Sequence, residues 1–234
     1  MKTAILLSGI GRAIDFTFEN LRDNLINCWE DRDVYVYIGK SDKSDRAAEL
    51  FNTLDNCQVN IMDEEPIDDT GLTFHGSLFA NKPQTSPQTQ LQMYRSRLRA
   101  CDMMNDSGKK YDRVISSRMD VTYTNPANES IEGLDMSKLW LPDWAHWLNG
   151  YPDRFAVSNQ EFITTYCEMT NHVQEYAPNL PDGIVHTEQL VRHHLDKQVG
   201  TKNIKTFFIE FHRVRGNGWV HQEDMPNPPA RRYM

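Results

Sequence analysis

The stretch YDRVISSRMD, residues 111–120, has the pattern of a buried strand that ends in a charged pair. Val114 and Ile115 are apolar, and Arg118 and Asp120 follow two residues apart. Residues at i and i+2 of an extended chain point to the same side, so both charged groups should leave the strand end together. Ligands of open α/β sheets bind in the crevice at the carboxyl ends of the strands. The stretch therefore predicts a site with arginine for phosphate oxygens and a carboxylate for a divalent cation. A surface ion pair, worth at most ~1 kcal/mol, is the alternative.

The composition describes a globular, acidic chain. Its 234 residues carry 25 Lys and Arg against 33 Asp and Glu, a formal net charge of −8. A negative chain repels nucleic-acid backbones, so we expect no nucleic-acid partner. No apolar run approaches the ~20 residues of a membrane span, and the N-terminal run is too short for a signal-peptide core. Four widely separated cysteines suggest small buried residues rather than a disulfide framework or a zinc site. These features predict a cytoplasmic protein.

Strand-like and helix-like segments alternate along the chain, which implies a parallel sheet with right-handed crossovers. Asp15 is the expected N-cap of the first helix. Residues 63–87 are predicted to form a long loop. No repeat or linker divides the chain, so we predict one domain over residues 1–234. We predict strands at 3–7, 34–38, 58–62, 111–120, 139–141, 154–157 and 206–211, and helices at 15–26, 41–54, 89–104, 159–172 and 186–197.

A glycine-containing turn is expected after the first strand, at Ser8–Arg12. Glycines at 9 and 11 let backbone N–H groups approach a phosphate, and Arg12 adds a bidentate donor. The pattern is not a dinucleotide fingerprint, because Ile14 stands where the third glycine belongs, and it is not a P-loop. A tight turn without a ligand is the alternative.

Two carboxyl groups in the second half are candidates for proton transfer. Asp153 follows a Gly-Tyr-Pro turn and could abstract a proton from a sugar hydroxyl; a cap with a surface ion pair is the alternative. Glu188, in the first turn of a helix, is either an active-site group or a partner of the helix dipole. His212 and His221 are candidate further ligands for a cation at Asp120.

A cluster of aromatic side chains, Trp140, Trp144 and Trp147 with Tyr151, is a candidate binding wall. Aromatic faces stack on the apolar faces of sugars, and indole N–H groups need partners when they are buried. Core or interface packing is the alternative for all four.

The order of these motifs resembles that of glycosyltransferases of the GT-A fold, in particular the viral and bacterial surface-polysaccharide type. In those enzymes the first strand ends in a Ser-Gly-x-x-Arg-like turn, and the arginine falls one position later here. A later strand carries Tyr-Asp-x-Val-Ile-x-x-Arg-x-Asp. The resemblance runs through nearly the whole chain and is carried by Leu7–Arg12, Glu19–Leu21, Asp33–Tyr37, Tyr111–Asp120, Asp153–Val157, and Glu188 with Leu190.

The resemblance implies a single Rossmann-like α/β domain with a mixed, mostly parallel central sheet flanked by helices. Residues 1–120 would form the half that binds the nucleotide sugar, and residues 121–234 the acceptor half and the tail. The implied activity is hexosyl transfer from a nucleotide-sugar donor, such as a UDP sugar, to a glycan or another hydroxyl acceptor. The expected location is the cytoplasm, which would be a host's if the chain is viral.

The resemblance also implies a divalent cation, Mn²⁺ or Mg²⁺, held by an Asp-x-Asp motif. Arg118 occupies the first position of that motif here, so only Asp120 matches. Either one carboxylate suffices, or Arg118 takes over part of the charge neutralisation. The expected roles are donor binding by Ser8, Gly9, Gly11, Arg12 and Arg118, metal binding by Asp120 and His212, and catalysis by Asp153 or, in second place, Glu188.

Two other functions are compatible with the sequence. A sugar-nucleotide nucleotidyltransferase has a similar first loop, but the Arg-Leu continuation and the lysine motif of that class are absent. A non-enzymatic carbohydrate-binding module would use the tryptophan-rich segment and would show no affinity for nucleotides. Inverting and retaining transfer are both open, because a retaining enzyme does not need a base at the acceptor hydroxyl.

Overall fold

A seven-stranded mixed sheet forms the centre of the computed structural model, which describes residues 1–62, 65–74 and 86–220. The sheet has the strand order β10–β7–β8–β5–β1–β2–β3, and β8 alone runs antiparallel to its neighbours. The predicted mixed, mostly parallel sheet flanked by helices is therefore confirmed. The strands are β1 Thr3–Ile10, β2 Arg32–Gly39, β3 Cys57–Met62, β4 Thr73–Phe74, β5 Arg113–Arg118, β6 Val121–Tyr123, β7 Leu139–Pro142, β8 Phe155–Ser158, β9 Ile184–Val185, β10 Ile204–Phe207 and β11 Phe211–Arg213.

The central strands are buried on both faces, which explains their almost continuous apolar sequence. Along β1, Ala4 and Leu6 face one hydrophobic cluster, whereas Ile5 and Leu7 face the other. β1 and β5 are parallel and in register, so Ser8 lies beside Arg118 where the two strands reach their carboxyl ends. This shared end is the edge at which ligands of such sheets bind.

Helices cover both faces of the sheet. The longest, α3, begins after Ser86, whose hydroxyl accepts from the backbone N–H of Thr89, and it packs against β1 and β2. On the opposite face α1 and α2 contact each other. The α-helices are α1 Ile14–Leu21, α2 Ser44–Phe51, α3 Pro87–Asp106, α4 Ala127–Ile131, α5 Gln160–Cys167, α6 Val173–Tyr176 and α7 Thr187–Gln198; Arg22–Ile26 continues α1 as a π-helical turn.

The start of the first helix differs from the prediction. Strand β1 continues through Ile10, and a 3₁₀ turn at Gly11–Ala13 leads into α1. The N-cap is Ala13, so Asp15 was wrongly predicted for that position. Asp15 lies in the first turn and pairs instead with Lys43 and Arg46 at 2.8 and 3.3 Å.

The predicted strand at 206–211 is two strands. β10 ends at Phe207 on the edge of the main sheet, and the chain then leaves that sheet. β11 pairs antiparallel with β6, a strand that the sequence did not predict, and this pairing sets Arg213 opposite Val121. In the predicted loop at 63–87, β4 pairs with β9, while residues 63–64 and 75–85 lie outside the described part.

Two further expectations concern composition. Across residues 1–62, 65–74 and 86–220, no helix combines the length and the apolar character that crossing a membrane requires. Cys101 and Cys167 are buried as predicted, whereas Cys28 and Cys57 are half-buried.

Candidate functional site

A cavity of about 470 Å³ opens where β1 and β5 end. Its lining is positively charged, because it contains six guanidinium groups and three carboxyl groups. The whole chain, in contrast, has a net charge of −8. A positively charged concave surface favours anionic ligands. The charged lining residues are Arg12, Arg97, Arg118, Arg154, Arg213 and Arg215, with Asp120, Asp153 and Glu188.

Arg118 and Asp120 leave β5 on the same side, as their spacing indicates, and bind each other. The Nε and Nη2 atoms of Arg118 donate to the two carboxylate oxygens of Asp120 at 2.7 and 2.9 Å. Asp120 is only 5% exposed, so this is not the surface ion pair considered as the alternative. A bidentate pair of this kind holds both planar groups in fixed orientation.

Asp120 remains ionised although it is buried. Burial alone would raise its pKa, but the positive charges of Arg118, Arg12 and Arg213 outweigh burial and hold the pKa far below its ordinary range. The Nη2 atom of Arg12 lies 3.5 Å from the carboxylate. The guanidinium groups at this end of the cavity therefore surround a permanent negative charge.

Arg213 and Arg215 were not predicted from the sequence as site residues. Pairing of β11 with β6 brings Arg213 to the cavity, and the backbone N–H of Val214 donates to the carbonyl of Asp120 at 2.8 Å. Burial and the neighbouring Arg213 lower the pKa of Arg215. The available signal was the alternation Arg213-Val214-Arg215, which repeats the spacing of Arg118 and Asp120.

The predicted glycine turn contributes part of the lining. Ser8, Gly9 and Arg12 line the cavity, and Gly9 has a φ of +127°, which favours glycine. Gly11 does not line it: a Cβ there would lie 2.8 Å from the Cβ of Ala47. Gly11 therefore allows the chain to pass close to α2, which is a packing role.

Asp153 and Glu188 meet in the same cavity. Burial is the main cause that raises the pKa of Glu188, to about 8, and the neighbouring charge of Asp153 adds to it. The carboxylate of Glu188 lies 3.2 Å from Nδ1 of His186, and that of Asp153 lies 3.9 Å from Nε of Arg154. At neutral pH the raised pKa favours the protonated form of Glu188.

Gly150 determines how closely the loop before Asp153 approaches Glu188. The backbone N–H of Tyr151 donates to the carbonyl of Glu188 at 2.9 Å. A Cβ at Gly150 would lie 2.2 Å from the carbonyl carbon of Glu188, so no other residue fits without a shift. The Gly-Tyr-Pro turn therefore positions the end of α7 that carries Glu188.

Arg97 supports the same region from α3. Its Nη1 donates to the carbonyl of Asp153 at 3.2 Å, and its guanidinium lies 4.2 Å from the ring centre of Tyr166. Arg97 is 6% exposed and lines the cavity. In the sequence, Arg97 is one of three alternating arginines, Arg95, Arg97 and Arg99, in a predicted helix, so its role depends on the tertiary fold.

His212 is placed away from Asp120. Its Nε2 lies 3.4 Å from the hydroxyl of Thr124 and 3.7 Å from the carboxylate of Glu210. Because side chains alternate along β11, Arg213 lines the cavity and His212 does not. His221, the other histidine considered, lies outside the described residues.

The tryptophans do not form a wall of the cavity. Trp140 donates through Nε1 to the carbonyl of Asp135 at 2.8 Å, and Trp144 donates to that of Ile209 at 2.7 Å. Both pack against the core, and neither they nor Trp147 are among the lining residues. The packing alternative describes them better.

The donor set around Asp120 does not fit a divalent cation held by the protein. Both oxygens of Asp120 accept from guanidinium groups, and Arg12 and Arg213 add positive charge beside them. Hard cations need several oxygen ligands, and the described part of the chain contains no cluster of three or more His, Cys, Asp or Glu side chains able to hold a metal.

Comparisons with known proteins give a likeness in structure alone. No family model matches the chain, and no curated protein matches it either. The apo-form glycosyltransferase GlyE of Streptococcus pneumoniae TIGR4 superposes with a TM-score of 0.50 at 10% identity, over 88% of this chain and 45% of GlyE. A second GlyE structure gives 0.48 at 13% identity, with the same coverage. The chain spans about half the length of these structures, and it shares a glycosyltransferase-like fold with the apo form.

Proposed function

We propose that the protein transfers a sugar from a nucleotide-diphosphate donor to a hydroxyl group of a glycan or similar acceptor. The main support for this proposal is that four arginines come together where the sheet strands reach their carboxyl ends, beside the carboxyl groups of Asp153 and Glu188. The four are Arg12, Arg118, Arg213 and Arg215. Ligands of such sheets bind at this edge, and the fold is one that GlyE also has.

The donor diphosphate would occupy the arginine-rich end of the cavity. Ser8, Gly9 and Arg12 lie on one side of it, and Arg118 lies on the neighbouring strand. Breaking the sugar–phosphate bond expels a multiply charged nucleotide, so stabilising that charge is the main task of the site. Guanidinium groups suit it because their planar N–H donors match phosphate oxygens.

The acceptor hydroxyl would meet Asp153 and Glu188. We assign Asp153 as the base of an inverting reaction, because Glu188 holds its proton at neutral pH and then donates hydrogen bonds rather than accepting a proton. This order agrees with the preference that the sequence suggested. Arg97 and Gly150 act through Asp153 and Glu188 and are positioning residues.

Transfer can be tested with purified protein, UDP and GDP sugars, and glycan acceptors, in the presence of Mn²⁺. Asp153→Asn should lower transfer by about 10²- to 10⁴-fold while nucleotide binding persists. Asp55→Asn, an exposed change outside the cavity, is the control.

Each remaining function predicts a different result in the same assay. Pyrophosphate released from a nucleoside triphosphate and a sugar phosphate would indicate a nucleotidyltransferase. Glycan binding with no nucleotide affinity would indicate a carbohydrate-binding module. Either result would refute sugar transfer. Full activity of Asp153→Asn in an inverting reaction would instead refute the assignment of Asp153 as the base.

A further inference from the structure

Four arginines from three separate segments meet around one carboxylate; we name Arg12, Arg118, Arg213 and Arg215 the arginine cluster. Arg12 follows β1, Arg118 ends β5, and the other two lie at the end of β11 and just beyond it. Asp120, which is 5% exposed, binds Arg118, lies 3.5 Å from Arg12 and interacts electrostatically with Arg213 and Arg215. Four guanidinium groups around one carboxylate leave a surplus of positive charge at this end of the cavity.

We propose that the arginine cluster binds the donor diphosphate without a divalent cation. This inference rests on the proposed sugar transfer and changes what neutralises the charge of the leaving group. A divalent ion in such a site bridges two phosphate oxygens and carboxylate ligands. Here both carboxylate oxygens are taken by Arg118, and the neighbouring groups are cations that repel a metal ion.

Asp120 then acts as a positioning residue. Its two bonds to Arg118 fix the plane of that guanidinium, and its charge attracts Arg12 at 3.5 Å. An arginine whose side chain is already ordered loses little conformational entropy when it binds phosphate. The arginine at the first position of the Asp-x-Asp-like motif is explained in the same way, since the motif builds an anion site.

The segment that supplies Arg213 and Arg215 is also tied to Asp120. The N–H of Val214 donates to the carbonyl of Asp120 at 2.8 Å, and the N–H of Arg215 donates to the carbonyl of Trp219 at 2.8 Å. These main-chain bonds, one between the two arginines and one at Arg215 itself, hold their backbone in place. The site is therefore built before any ligand arrives, as phosphate recognition requires.

Calorimetric titration of the full chain with UDP and GDP, first with EDTA and then with Mn²⁺, tests the inference. We expect dissociation constants that differ by less than about threefold between the two conditions. Arg213→Gln and Arg215→Gln should each weaken binding about tenfold or more in EDTA, because each removes a charge-assisted contact. Arg46→Gln, on the exposed face of α2, is the matched control and should bind as the parent does.

Asp120→Asn separates the two roles of that residue. If Asp120 is a metal ligand, the variant should lose the effect of Mn²⁺ on nucleotide binding and keep its affinity in EDTA. If Asp120 is a positioning residue, the variant should lose affinity equally in both conditions. Thermal unfolding with and without UDP shows whether the variant folds, and Arg215→Gln tests the same cluster without changing the buried pair.

The inference is overturned if binding falls more than about tenfold in EDTA and Mn²⁺ restores it. It is also overturned if Arg46→Gln weakens binding as much as the two cluster variants, because overall charge would then be the cause. Absence of nucleotide binding in both conditions would instead refute the proposed sugar transfer itself.

Discussion

Of the two candidate catalytic carboxyl groups, Glu188 is the one whose pKa is clearly shifted by its surroundings. Its pKa of about 8 arises mainly from burial, with the charge of Asp153 second. A carboxyl with a raised pKa favours the folded state while it is protonated. That stability is fully present below about pH 4.5 and is lost as the pH rises through about 8.

Glutamine in place of Glu188 should remove this loss, because the amide cannot ionise. We expect the free energy of unfolding of the parent to fall between about pH 5 and about pH 9 by a few kcal/mol more than that of Glu188→Gln. Denaturant titration at several pH values measures both curves. Parallel curves would show that Glu188 does not carry the effect.

The pH profile of transfer distinguishes the roles of the two carboxyl groups. If protonated Glu188 donates hydrogen bonds while Asp153 accepts the proton, kcat/KM should fall above about pH 8. Glu188→Gln should flatten that alkaline limb and keep part of the activity. A rate that rises through about pH 8 in the parent would assign Glu188 as the base instead.

The position of the first turn of α7 depends on Gly150, which precedes Asp153 in the chain. Gly150→Ala would place a Cβ 2.2 Å from the carbonyl carbon of Glu188, so the helix end or the loop must move. We expect transfer to fall at least about tenfold, since small displacements at a reacting centre are costly. Activity per folded molecule measures this.

Gly200→Ala provides the control for that variant. Gly200 has a φ of +82° and no atom within 4 Å of a built Cβ, so its replacement strains the backbone away from the cavity. It should lower stability and leave the activity of the folded protein unchanged. Equal losses of activity in the two variants would show that close contact with Glu188 is not the cause.

The antiparallel strand β8 is held by an aromatic cluster that also holds β6 and β11. The ring of Phe155 lies 6.3 Å from that of Tyr123, 6.0 Å from Phe207 and 5.9 Å from Phe211. Phe155→Ala should cost about 3–5 kcal/mol of stability, which chemical denaturation measures. Phe16→Ala, at a side chain 54% exposed, should cost far less.

The elements predicted well from sequence are those whose pattern is set by burial alone. β2 was predicted because Val34–Ile38 is a continuous apolar run. α3 was predicted because Leu91, Tyr94 and Cys101 recur at helical spacing. β6 and β11 have three residues each, and their pairing joins distant parts of the chain. No local pattern contains that pairing, so Arg213 could not be placed beside Asp120 from sequence.

The structure brings three of the predicted site residues together at one edge of the sheet. Arg118, Asp120 and Arg12 lie together because β1 and β5 are neighbours, a strand order that the sequence did not predict. His212 was misplaced, because a shift of one residue along a strand reverses the direction of a side chain. Trp144 was ambiguous for a similar reason: its bond to the carbonyl of Ile209, 65 residues away, exists only in the folded chain.

At the scale of the whole molecule, a positive cavity sits in a chain of charge −8. Nucleotide affinity should therefore depend on ionic strength. Raising NaCl from about 0.05 M to about 0.5 M should weaken UDP binding several-fold, because salt screens the attraction between guanidinium groups and phosphate. Titration at several salt concentrations measures the slope, and a salt-independent constant would argue against charge recognition.

The arginine cluster joins Arg12 and Arg118 to Arg213 and Arg215. Almost the entire described chain separates Arg12 from the last two. During synthesis on a ribosome, the early strands can assemble while half of these cations have not yet emerged. A nascent chain therefore lacks the complete arginine cluster until β11 has been made and has paired with β6.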